Sequence, residues 1–93
     1  MNIQVIRNIA DNSREIFGFT LINSTLVFTS WCIEIKPAGK KKWIINKFWD
    51  SYRKRDSTTV EPVLTDDIRL EAYKLLMKEI KVKTWIEILN GNN

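Results

Sequence analysis

The stretch from Lys40 to Arg55 reads KKKWIINKFWDSYRKR. It holds seven of the chain's 15 basic residues: Lys40, Lys41, Lys42, Lys47, Arg53, Lys54 and Arg55. One acid, Asp50, stands among them, and Trp43, Phe48, Trp49 and Tyr52 are interleaved. Cations set this densely can neutralise several phosphates at once, and an exposed indole between them can stack on a base. All 93 residues together carry +4, whereas this segment alone carries +6 and the remainder −2. The excess is therefore a local patch, which suits a polyanion better than a uniformly basic surface does.

Other chemistries find little support. The chain has no histidine, so the commonest general base and metal ligand is missing. A single cysteine, Cys32, excludes an internal disulfide and cannot make a zinc site. Without a histidine to activate it, Cys32 reads as a half-buried strand residue rather than a nucleophile. Three scattered glycines build no phosphate-cradling loop. Tyr52 with Arg53 and Arg55 is the one conceivable catalytic set, of the kind a small ribonuclease uses. A tyrosine closing a core beside a solvated basic end explains the same residues without catalysis. The chain is read as non-enzymatic, with no cofactor and no metal.

No run of about 20 apolar residues is long enough to span a bilayer, because Asn23, Ser24 and Thr25 break the most apolar stretch. No secretory signal is visible at the start, and with one cysteine this points to the cytoplasm. At 93 residues and 44% apolar, the chain has the size and composition of one domain, expected over 1–90 with a frayed tail at 91–93.

The expected class is α+β: a small antiparallel sheet, beginning with a hairpin, packed on one or two helices and ending in a C-terminal strand. NIQVIRNI puts Ile3, Val5 and Ile9 on alternate positions, interrupted by Arg7, and reads as an edge strand. IFGFTLI and TLVFTSWCIEI flank Asn23-Ser24, a hairpin signal. On the second of these strands Val27, Thr29, Trp31, Ile33 and Ile35 should share the core face. Pro37 and Gly39 then mark a turn, with Pro37 at its first central position.

For 40–55 two readings compete. A helix over Lys42–Arg53 gathers Ile44, Ile45, Phe48, Trp49 and Tyr52 into an arc of about 140°. It leaves Trp43 exposed beside Lys40, Lys47 and Lys54. A hybrid, strand through Ile45 and then a shorter helix, avoids placing three lysines at the positive end of a helix dipole. The long helix is preferred because neither strand face is consistently apolar.

LTDDIRLEAYKLLMKEI is a firm helix, with Thr65 as cap and Asp66 and Asp67 in its first turn. Its apolar residues sweep about 220°, more than one side of a sheet covers. Leu70, Tyr73 and Met77 are the expected partner-binding residues, toward a homodimer or another protein. KVKTWIEIL alternates and is read as the final strand. Trp31 is expected in the core, and Trp85 on the polar face of that strand.

Two functions follow. The first is a non-enzymatic nucleic-acid-binding domain, DNA or RNA, with single strands favoured. Lys40, Lys41, Lys42, Lys47, Arg53, Lys54 and Arg55 would hold phosphates, Trp43 would stack, and there would be little sequence specificity. The second is a small protein-binding module, an inhibitor or adaptor docking on an acidic partner.

Overall fold

A computed structural model describes the backbone of residues 1–89 and the side chains of 1–83. Four antiparallel strands, β1 (Asn2–Ala10), β2 (Ser13–Ile22), β3 (Thr25–Ile35) and β4 (Ile44–Asp50), pair in sequence order, and one helix, α1 (Asp66–Leu89), follows. The architecture is α+β, as expected. β1 is an edge strand, also as expected. The anticipated tail at 91–93 lies outside the described residues.

Asn23 and Ser24 join β2 to β3 with φ of 48° and 65°. Two left-handed central residues match the strands' own twist, which is why this two-residue loop closes a hairpin. Beyond it the register shifts once. Phe19 faces Phe28, but Gly18 faces Ser30, so Thr29 is an inserted residue. The insertion reverses the expected alternation along β3. Leu26, Phe28 and Trp31 join the core, while Val27 is exposed. Thr29 is buried and donates its hydroxyl to the Gly18 carbonyl.

The largest correction concerns Lys42–Arg53, which is not helical. β4 occupies Ile44–Asp50 and pairs with β3. The cause is visible in the register: Lys47 faces Ile33 but Ile45 faces Glu34, so Asn46 is also an inserted residue. One extra residue in a two-residue alternation puts Ile45 and Phe48 on the same side and turns strand spacing into an imitation of helical spacing. Burial then decides between the two conformations. Trp49 is buried opposite Trp31 and stacks on Phe28 with ring centroids 5.1 Å apart. A helix would break that contact. Pro37 also takes a different turn position from the one expected. It is the first residue of the turn, its carbonyl accepting the Lys40 N–H, and Gly39 supplies the positive φ of 76°.

The helix side of the sheet holds the core: Ile3, Val5, Phe17, Phe19, Leu26, Trp31 and Trp49 against Ile68, Ala72 and Leu76 of α1. Trp31 is in the core as expected, its indole N–H donating to Glu15 at 2.8 Å. α1 lies against β1, and Arg7 approaches Asp67 at 3.7 Å. The final strand is a second correction. The helix runs on to Leu89, so Lys81–Leu89 is helical and Trp85 sits on a helix, its side chain outside the description. An established helix extends at one hydrogen bond per residue without a new nucleus.

Candidate nucleic-acid interface

β4 is the edge strand opposite β1, and the basic residues follow it from end to end. Lys40, Lys41 and Lys42 lie in the loop that enters β4, and all are exposed. Lys47 is exposed on the strand. Arg53, Lys54 and Arg55 form the loop that leaves it, the last two within a 3-10 turn over Lys54–Asp56, again exposed. A strand of seven residues spans about 20 Å, so the two cation triplets stand about that far apart with Lys47 between them. The expected compact patch is thus a row along one edge.

The exit loop is built with care. Asp50 ends β4 by accepting the backbone N–H groups of Tyr52 at 2.8 Å and Arg53 at 3.3 Å. The chain then returns along the strand. Thr58 Oγ1 accepts the Phe48 N–H at 2.7 Å, and Ser57 Oγ accepts the Asp50 N–H at 3.0 Å. Two edge donors are satisfied in this way, which blunts the edge against pairing with another strand. It also fixes the loop that presents Arg53, Lys54 and Arg55. Among the described residues, one ion pair involves the seven cations, Arg53 to Asp50 at 3.7 Å. Tyr52, placed in the helical arc by its spacing, is instead 75% exposed at this loop.

Trp43 is the residue whose setting differs most from expectation. It does not lie free beside Lys40, Lys47 and Lys54. It is half-buried, with the Arg14 guanidinium carbon 4.2 Å and Lys36 Nζ 4.8 Å from its ring centroid. Arg14 in turn donates to Glu34 at 2.7 Å. The indole therefore props a cationic pair at the end of the sheet where β1 turns into β2. Arg14 and Lys36 were absent from the sequence-derived set. Arg14 meets Glu34 only because the Thr29 insertion shifts the register by one, and the one local hint of that insertion is Gly18, the strand glycine at the shift.

Cys32 is half-buried on β3. Burial pushes its thiol above the usual value, and the Glu34 carboxylate adds to this, against a smaller opposing effect of Arg14. A thiol held in its protonated form is a poor nucleophile. Among the described residues no group of three or more acids or cysteines is placed to hold a metal ion, and no helix is long and apolar enough to cross a membrane. Leu70, Tyr73 and Met77 lie together on the outer side of α1, at 57%, 44% and 54% exposure. They are on a different element from the β4 row, and α1 makes its main sheet contacts with β1, the opposite edge strand. Comparison with known protein families, curated proteins and solved structures finds no match.

Proposed function

We propose that this chain is a non-catalytic nucleic-acid-binding domain that grips phosphates along its β4 edge. The observation that carries the reading is the row itself. Seven exposed cations line about 20 Å of one edge, and among the described residues a single ion pair competes for them. Duplex backbones repeat a charge every 3.4 Å or so along each strand, so a row of this length meets several phosphates together. Two triplets separated by a strand fit an extended polyanion better than a compact acidic site.

Lys40, Lys41, Lys42 and Lys47 act as point charges, and Arg53 and Arg55 add forked donors suited to phosphate oxygens. Base reading is not part of the proposal, which rests on the charge and spacing of the row alone. The single-strand preference expected from Trp43 is also not carried forward. It required a free indole, and Arg14 and Lys36 already occupy that ring. The proposal extends equally to DNA and RNA.

The test is fluorescence anisotropy of a labelled 20-base-pair duplex and of its single strand, titrated at two salt concentrations. With five to seven phosphates engaged, the logarithmic salt slope should be about −0.9 per contact on duplex and about −0.7 on single strands. Binding too weak to detect at low salt would reject the reading.

A further inference from the structure

We infer that the outer face of α1 is a docking seam for an amphipathic helix with acidic flanks, on a partner protein. The seam is separate from the β4 row and serves a different class of ligand.

The starting point is spacing. Leu70, Tyr73 and Met77 stand at intervals of three and four residues, and Ile80 continues the series. This alternation brings side chains to one narrow line on a helix, the line that packs against a second helix. The face already used by the fold is a different one. Ile68, Ala72 and Leu76 are buried against the sheet, while Leu70, Tyr73 and Met77 are about half exposed. A tyrosine and a methionine in such a line are well suited to an interface: one brings a rigid ring with a polar tip, the other adapts to an irregular partner.

Charge selects the occupant. On one side of the line stand Lys74 and Lys81, and on the other stands Arg69, all exposed; the exposed Asp66 lies on the line itself, one turn before Leu70, at its N-terminal end. Glu71 and Glu79 lie outside the flanks, and Glu79 lines the groove between α1 and β1. Asp67 is engaged by Arg7 and by the Thr65 hydroxyl. A second copy of this chain fits poorly. Placed parallel, it would set Arg69 against Lys74 of the copy, and placed antiparallel about the middle of the line, where like flanks meet, it would set Lys74 beside Lys74 of the copy. Like charges across a seam are how helical pairs reject a wrong partner. Glutamates or aspartates at the flanking positions of the partner turn each of these contacts into an attraction.

The experiment uses the full chain and three labelled synthetic helical peptides of 21 residues. All carry leucine along the seam, with glutamate, glutamine or lysine at the flanking positions. The glutamate peptide should bind about tenfold more tightly than the glutamine peptide, and the lysine peptide least. Met77→Asp should lower affinity for the glutamate peptide by about tenfold or more. Lys74→Glu combined with Lys81→Glu leaves the apolar line intact and should reverse the peptide order, which tests the charge argument even if Met77→Asp perturbs folding. Equal binding of the three peptides, no binding of the glutamate peptide, or an order that ignores the Lys74 and Lys81 changes would overturn the inference. So would a wild-type dimer at micromolar concentration that Met77→Asp disperses, because a second copy would then be the occupant.

Discussion

Replacing Trp43 by Ala separates two roles that the sequence could not distinguish. If Trp43 is a prop, its loss weakens the fold. An indole offers roughly 200 Å² of surface, so covering half removes about 100 Å² from water, worth about 2.5 kcal/mol at the usual area coefficient. The Arg14 and Lys36 contacts, at 4.2 and 4.8 Å from the ring centroid, add about 0.5–1 kcal/mol each at this exposure. The denatured chain already hides part of that area, so a loss of about 2.5–4 kcal/mol is expected rather than the full sum. Urea unfolding followed by tryptophan fluorescence should show a midpoint lower by roughly 1–2 M. Trp43→Phe, which keeps a ring face, should lose about half as much. Affinity for single-stranded oligonucleotide should change by less than about threefold, since a free stacking platform would instead forfeit about 1–3 kcal/mol per base. A Trp43→Ala protein as stable as wild type that binds single strands at least about tenfold more weakly would refute this reasoning.

Three further outcomes follow from particular contacts. Ser24 holds a φ of 65°, which costs a residue with a Cβ, so Ser24→Gly should raise stability by about 0.5–1 kcal/mol in urea unfolding. Thr58→Val removes the hydroxyl that accepts the Phe48 N–H at an exposed edge, so it should cost about 0.5–1 kcal/mol and speed amide exchange at Phe48, with little effect at Val5. The Thr65 hydroxyl, then Arg7, holds the Asp67 carboxyl below the usual aspartate range. A depressed carboxylate stabilises the fold at pH above its unfolded value, and the contribution disappears as pH falls through the lower folded value. Asp67→Asn should therefore flatten the acid limb of helical circular dichroism below about pH 4 and leave the neutral signal nearly unchanged.

The hairpin, the edge character of β1, the Pro37–Gly39 turn and the body of α1 were legible because each is written in local chemistry. Asn23-Ser24 between two β-branched runs is such a signal, and so is Thr65 followed by two aspartates. The surplus apolar arc of α1 was legible too, and Leu70, Tyr73 and Met77 remain uncovered by the fold. What escaped were two inserted residues, Thr29 and Asn46. An insertion changes which side chains share a face without changing composition or propensity. At Asn46 it made a strand look helical, and at Thr29 it hid the approach of Arg14 to Glu34. The seven cations were found as a group, but their arrangement as a row depended on β4 being a strand. The continuation of α1 through Lys81–Leu89 was obscured because Val82, Thr84, Ile86 and Ile88 carry strand-like alternation that an existing helix overrides.

The central claim is that both ends of the β4 edge hold one polyanion at the same time. Anisotropy of a 20-base-pair duplex against salt, for wild type and two triple variants, tests it most directly. One variant replaces Lys40, Lys41 and Lys42 by Ala, and the other replaces Arg53, Lys54 and Arg55. Each should reduce the logarithmic salt slope by about 2–3, because about three phosphate contacts are lost in each, and the combined variant, which keeps Lys47, should leave a slope of about −1. All six residues are exposed, so circular dichroism should stay as in wild type. A slope carried wholly by one triplet and untouched by loss of the other, or a wild-type protein whose binding does not depend on salt, would contradict the account.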